Sequence, residues 1–321
     1  MDCIVLHIRG RFLHDDFSRK HLRLFSFIEE ICAAAGVACE RRTRPEAYEA
    51  GLAFDDPLGV FEEGALHVVD HGSIRAPHVL NAALAYIDDF WQLDPMGIRA
   101  FHSAAQAQYD PATVPFDTAQ PFFQKLRRAR VNHRHSRYDQ PHRWEEFPKG
   151  STAVFFQGEM PRLTGTTQFT DLDMLRTVMS HTDGPVLVKP HPLVADLSVV
   201  QTALNWAQDD PRIIVTDANV HDLLRACDVS VSINSTVALE GFLHRKPAIL
   251  FGKSDFHHMV GTVEHLDAFP QIYAQERART KGFQQYIAWS FQNHCYDITA
   301  VDLEEQLWAC FARFGLHRAA P

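Results

Sequence analysis

A lysine and a histidine interleaved with two prolines, Lys189-Pro190-His191-Pro192, close an apolar run that begins at Pro185. The prolines fix the backbone and remove two amide donors, so the turn is rigid. It holds a cation and an imidazole at the mouth of the sheet to which the run belongs. A departing nucleotide phosphate needs a cation or a proton donor, and histidine serves as either near neutral pH. The plain alternative is a structural turn with a surface histidine.

A second polar turn, Asn234-Ser235-Thr236, follows the run Val229 to Ile233 and precedes a helical stretch that carries Glu240. A helix start of this composition offers amide donors and two hydroxyls to a phosphate. Ordinary N-capping explains the same residues. Gln157-Gly158-Glu159 closes a third run, where Glu159 is a candidate base or nucleophile at an anomeric carbon, or else a solvated loop acid. In the first half, Asp70 and His71 end the run Ala65 to Val69, with Arg75 nearby. Asp171 and Asp173 read as first-turn helix acids favoured by the dipole.

Metal chemistry has little support. His133 and His135 lie in a basic stretch and His257-His258 in a loop, without Cys or carboxylate partners at ligand spacing. His67 and His71 flank a strand, so the HExxH helix logic does not apply. Walker A, GxGxxG and GxSxG patterns are absent from the sequence, which removes the usual support for kinases, dinucleotide oxidoreductases and α/β-hydrolases.

The elements that must position these groups alternate. Strands are expected at Thr152–Phe156, Pro185–Lys189, Arg212–Thr216, Val229–Ile233 and Ala248–Phe251. Helices are expected at Asp171–Ser180, Leu197–Gln208, Val220–Cys227 and Ser235–His244. Such alternation implies a parallel sheet with helices on both faces, whose ligands sit beyond the carboxyl ends of the strands. The N-terminal third reads strand, helix, strand, with Leu22, Phe25, Ile28 and Ile31 or Cys32 on one helix face and Gly36 as its stop. Residues 94–117 read as loops, and the run from Lys125 to Arg137 as a solvated basic face or a contact for an anionic acceptor or lipid.

The 321 residues suffice for two domains. Pro141, Pro148 and Gly150 place the boundary at 148, giving 1–148, 149–290 and a C-terminal helical segment 291–321 that crosses back to the first domain. A net charge of −9 gives nucleic-acid binding no support. Six scattered cysteines without a CxxC pair argue against a disulfide scaffold or zinc knuckle. No signal peptide or apolar span is evident, so a cytoplasmic enzyme is expected, with peripheral association at the inner membrane face left open.

Together these motifs resemble bacterial capsular polysaccharide biosynthesis proteins, especially β-Kdo transferases of the KpsC type. The passages are Val69-Asp70-His71-Gly72-Ser73-Ile74-Arg75, Leu93-Asp94-Pro95-Met96-Gly97-Ile98, Ser136-Arg137-Tyr138, Gln157, Val188 to Pro192, Ser232 to Gly241, Lys246-Pro247 and Phe251-Gly252. The resemblance implies a GT-B-like α/β fold of two Rossmann-like domains with mostly parallel sheets facing a cleft. It implies a CMP-activated donor, probed first as CMP-Kdo, with no cofactor and no obligatory metal. Lys189, His191 and Pro192 then face the donor phosphate, Gln157, Asn234, Ser235 and Thr236 add donors, and Glu240 holds the ribose or nearby backbone. Catalytic roles fall on Glu159, His191, Asp70 and His71. Arg75, Ser136, Arg137 and Tyr138 meet the acceptor or the sugar carboxylate.

Two departures matter. Pro161 stands where the family has an acid, which leaves Glu159 as the candidate nucleophile, and Asp70-His71-Gly72 replaces an acidic Glu-Asp-Gly. The expected activity is retaining transfer of Kdo or a related 2-keto sugar to a saccharide or glycolipid acceptor, within or outside a polysaccharide-assembly complex. The alternatives are a UDP- or GDP-sugar transferase, a non-catalytic saccharide-binding subunit, or a sugar-nucleotide epimerase.

Overall fold

The computed structural model describes residues 1–15, 17 and 20–318. The chain forms two compact units, one of Met1–Ala107 with the segment from Phe291 onward, the other of Gln108–Ser290. The division therefore falls at 107, not at the expected 148. Residues 108–150 belong to the second unit because they are tied into it: Arg127 donates to the Leu243 carbonyl at 3.1 Å, and Arg134 pairs with buried Asp222 at 2.6 Å.

Unit 1 contains strands β1 (Cys3–Arg9), β2 (Ala38–Arg44), β3 (Ala65–Asp70), β4 (Val79–Leu84) and β5 (Phe90–Asp94). β1 pairs in parallel with β2 and β3, β3 in parallel with β4, and β4 antiparallel with β5. β3, β4 and β5 are buried at every residue, as strands covered on both faces must be. Helix α1 (Arg23–Ala34) buries Leu24, Phe25, Ile28, Ile31 and Cys32, the stripe its periodicity predicts. It stops at Gly36, whose φ of +68° turns the Val37 amide back onto the Cys32 carbonyl at 2.9 Å, a Schellman closure.

Unit 2 opens with α2 (Phe116–Arg127), in a region that reads partly as loop from sequence. Its strands are β6 (Ser151–Phe155), β7 (Val186–Lys189), β8 (Ile213–Val215), β9 (Cys227–Ser232), β10 (Ala248–Leu250) and β11 (Gly261–Thr262). They form one parallel sheet in the order β11-β10-β9-β6-β7-β8. The connecting helices are α3 (Met160–Leu163), α4 (Asp171–His181), α5 (Leu197–Asp209), α6 (Val220–Ala226), α7 (Val237–Leu243) and α8 (Phe269–Arg277), and α9 (Phe283–His294) runs across the division after Ser290.

Successive strand residues point to opposite faces. Val154, Val188 and Val231 pack with Met174, Leu175 and Val178 of α4 and Phe269 of α8. Ala153, Phe155 and Leu187 pack with Leu223 and Leu224 of α6 and Val237 of α7. Truncating a side chain such as Leu175 or Leu223 to alanine in these layers costs about 2–5 kcal/mol. The chain then returns to unit 1 as β12 (Tyr296–Asp297), antiparallel to β5, and α10 (Leu303–Ala312), whose Leu303, Leu307, Trp308 and Phe311 join the core around Ile4, Leu6 and Phe25.

Candidate functional site

In unit 2 the three central strands end level, with Phe155 of β6 opposite both Lys189 of β7 and Ser232 of β9. The turns at 157–159, 190–194 and 234–236 therefore leave the same end of the sheet, the outer two about 10 Å apart across two strand spacings. They are also bonded to one another. Gln157 Oε1 accepts from the Asn234 amide at 2.6 Å, and its Nε2 donates to Asn234 Oδ1 at 3.1 Å. Asn234 Nδ2 donates in turn to Thr166 Oγ1 and to the Lys253 carbonyl, at 3.0 and 3.1 Å. Gly158 has φ +71°, and a Cβ there would stand 2.6 Å from the Val194 carbonyl oxygen, so glycine alone lets the first turn lie against the second.

His191 is fixed through its inner nitrogen. Nδ1 accepts from the amides of Leu193 and Val194 at 3.1 and 3.2 Å, which puts the ring proton on Nε2. Burial, with help from Lys189 and Arg137, lowers its pKa below the usual 6.5, so the ring is a neutral N–H donor at neutral pH. Tyr138 meets it edge-on, ring centroids 5.0 Å apart. Tyr138 also lines a cavity of ≈510 Å³ with Ser136, Gln140 and Asn219, within the range of small-molecule sites. Two anchors hold this loop over the sheet: Asn219 donates to the Pro141 carbonyl at 3.1 Å, and Gln140 accepts from the Val220 amide at 3.1 Å.

Some expected roles change. Lys189 is buried, and its ammonium donates to the carbonyls of Asp217 and Ala218 at 2.8 and 2.7 Å. Its bonds fasten β7 to the turn before α6, a positioning role in place of the expected phosphate contact. Three of the four amides from Asn234 to Val237 are already taken, by Gln157 Oε1, Ser232 Oγ and Ser235 Oγ. The turn thus offers the hydroxyls of Ser235 and Thr236 more than a fan of free amides. Glu240 is half-buried on α7, Pro192 is exposed in its turn, Ser136 is buried and Arg137 half-buried. Glu159 is exposed at the head of α3, with no side-chain capping bond.

Asp171 does more than its sequence position suggested. Thr170 and Asp173 form the capping box of α4, while the buried Asp171 carboxylate accepts from the amides of Gln157 and Gly158, at 3.1 and 2.9 Å. Burial raises its pKa to about 6 against those two amides. The only local signal was a carboxylate in a first helical turn; its partners lie 13 and 14 residues away.

Unit 1 has its own polar strand end. Asp70 is buried between Arg9 Nε at 2.7 Å and His71 Nδ1 at 2.6 Å. Burial opposes its ionisation, but His71 and Arg9 outweigh it and hold the carboxyl well below the usual range. Burial lowers the His71 pKa against the pull of Asp70, leaving a neutral ring that donates Nδ1–H to the carboxylate. Arg9 Nη2 lies farther from that nitrogen, at 3.4 Å. His71 has φ +53°, an uncommon conformation for a non-glycine residue, and Arg44 clamps it by donating to the carbonyls of Asp70 and His71 at 2.8 and 3.0 Å. Arg75 is exposed, stacked 4.7 Å over Phe54. Arg9 and Arg44 were not among the residues singled out from sequence.

Among the described residues no group of three or more His, Cys, Asp or Glu side chains is placed to hold a metal ion. No described helix is long and apolar enough to cross a membrane.

Residues 164–295 match the family described as capsule polysaccharide biosynthesis protein. The match begins beyond Glu159 and covers the turn at 189–192 and the turn at 234–236. No curated protein matches the sequence. Among solved structures, the Thermosulfurimonas dismutans KpsC β-Kdo 2,7 transferase superposes with a TM-score of 0.55 at 13% identity, covering 98% of this chain and 100% of that one. The KpsC β-Kdo 2,4 transferase of the same organism gives 0.51 at 14% identity, covering 89% of each chain. The fold is α/β and GT-B-like, with two mostly parallel sheets, and it resembles that of the KpsC transferases along nearly its whole length.

Proposed function

We propose that this chain is a glycosyltransferase of capsule or lipopolysaccharide synthesis, moving Kdo or a related 2-keto acid sugar from its CMP donor to a saccharide or glycolipid acceptor. The observation that carries the reading is His191, a neutral imidazole whose N–H is aimed by two backbone amides and whose ring meets Tyr138, a lining residue of the ≈510 Å³ cavity. The family match over residues 164–295 and the likeness in fold to the KpsC β-Kdo transferases support it.

In this reading unit 2 holds the donor. The hydroxyls of Ser235 and Thr236 and the His191 Nε2–H bind the phosphate, and Arg137 pairs with the sugar carboxylate. Glu159 attacks the anomeric carbon as the bond to the CMP phosphate oxygen breaks, the electron pair leaving with CMP. The acceptor hydroxyl then displaces Glu159 and gives up its proton to a base; His71, whose tautomer Asp70 sets, is the residue of unit 1 prepared to take one. Two displacements retain the anomeric configuration. No cofactor or metal takes part.

A thermal-shift panel with CMP, UDP and GDP tests the donor, with stabilisation by CMP expected. Stabilisation by UDP alone reassigns the chain to a UDP-sugar transferase. Proton NMR of the product tests retention; an inverted anomer removes Glu159 as nucleophile. One observation favours a second reading: Glu159 is exposed and unsupported, as in a saccharide-binding subunit without catalysis. CMP release from CMP-Kdo in the presence of an acceptor excludes that reading.

A further inference from the structure

Beneath the turns of the donor site lies a carboxylate that no step of the proposed transfer uses. Asp171 is buried at the head of α4. Among the described residues no cation acts on it. The one charge that does, Asp196 at the cap of α5, is of like sign and adds to burial in raising its pKa. An acid whose pKa rises on folding loses stability as pH climbs through the folded value, so at pH 7 this charge costs stability. Groups held at such a cost concentrate at functional sites. An acid in the first turn of a helix has an ordinary use as a cap, but Asp173 already fills it with Thr170. Asp171 spends its lone pairs elsewhere.

Its Oδ2 accepts from the amides of Gln157 and Gly158 at 3.1 and 2.9 Å, and its Oδ1 from that of Gln157 at 3.1 Å. These bonds fix the backbone where it leaves β6, and two arms run from there. One is the Gln157 side chain, which exchanges two hydrogen bonds with Asn234, the residue before the hydroxyls of Ser235 and Thr236. The other is the close approach of Gly158 to the Val194 carbonyl, where even a Cβ has no room. The Val194 amide is one of the two that donate to His191 Nδ1. A displacement of Gln157 and Gly158 therefore reaches both groups assigned to the phosphate.

We propose that Asp171 is a positioning residue of the donor site: its carboxylate holds the backbone of Gln157 and Gly158, and through them it sets Asn234 and His191 for the nucleotide phosphate. The inference rests on the donor assignment of unit 2.

The test uses the full chain, with CMP as the probe in isothermal titration and with NMR of glycine- and asparagine-labelled protein. Asp171→Ala leaves two amides without their acceptor and should weaken CMP binding about tenfold, moving the Gly158 and Asn234 amide signals together. Asp171→Asn keeps an oxygen able to accept from both amides and should recover most of the affinity. Gln157→Ala cuts the arm to Asn234, leaves the buried acid in place and should weaken CMP to a similar degree. Asp173→Ala breaks the capping box and should lower the melting temperature with CMP affinity unchanged. Full CMP affinity in Asp171→Ala overturns the proposal, and so does full affinity in Gln157→Ala, which decides the matter where the first variant does not fold. An equal loss in Asp173→Ala also overturns it, since helix stability alone would then account for the effect. Wild type that binds no CMP sinks the donor assignment. In that event, Gly158 and Asn234 signals displaced together by Asp171→Ala still support the carboxylate as the holder of the turns, and signals that stay in place overturn it.

Discussion

Each unit carries a histidine just beyond the carboxyl end of a parallel strand, and the two rings are prepared in opposite senses. His71 meets a carboxylate at Nδ1, Asp70 Oδ1 at 2.6 Å, so its proton sits inward and Nε2 keeps a lone pair. His191 meets two backbone amides at Nδ1, so its proton sits outward on Nε2. Burial keeps both neutral at neutral pH. At Nε2 the first can accept a proton, and the second can only donate a hydrogen bond. Residue type therefore does not assign base or hydrogen-bond donor; the neighbour of the inner nitrogen does.

The change that breaks this contrast most is Asp70→Asn. An amide no longer dictates the His71 tautomer, and turnover measured as CMP release should fall by about 10³–10⁴. A loss under tenfold would take the pair out of the mechanism. His191→Ala removes the outward donor and should lower kcat by about 10²–10³ with the circular dichroism spectrum unchanged; a near wild-type rate rejects the phosphate assignment.

Smaller effects sharpen the comparison. Gly158→Ala forces a side chain into positive φ against Val194 and should cost about 1–3 kcal/mol in urea unfolding. An unchanged midpoint would mean the turns around His191 are not held by that approach. The smallest effect is acid sensitivity. Burial lowers the pKa of His7 in unit 1 to about 4, and in unit 2 that of His221 to about 4 and of His244 to about 3. A histidine below its ordinary 6.5 when folded binds protons more readily when unfolded, so its contribution is complete above 6.5 and is lost as pH falls toward the folded value. From pH 7.5 to 6 the loss should be about 1 kcal/mol or less per ring, growing below that. Unfolding free energy that stays flat to pH 5 contradicts neutral buried rings.

The sheet of unit 2 was readable to within two residues at nearly every strand, because buried parallel strands are continuous apolar runs and the intervening helices carry their own stops. β4 and β5 were not read, since β5 is antiparallel and the pair is told from a buried helix only by its partners. The strand-end rule found His191, Gln157, Asn234 and Asp70. It could not find Arg9 or Asp171, whose meaning comes from contacts with distant turns, nor see that Lys189 is consumed by carbonyls 28 and 29 residues away. Local pattern locates the turns; which of their donors remain free is decided by tertiary bonds.

The return of the chain to unit 1 has a consequence for its synthesis. β12 closes one edge of that sheet, and Leu303, Leu307, Trp308 and Phe311 fill its core. On a ribosome every strand of unit 2 has emerged while unit 1 still lacks these pieces, so unit 1, although begun before unit 2, finishes folding after it. A stop codon after residue 295 should therefore leave a nascent chain whose second half resists protease and whose first half is digested.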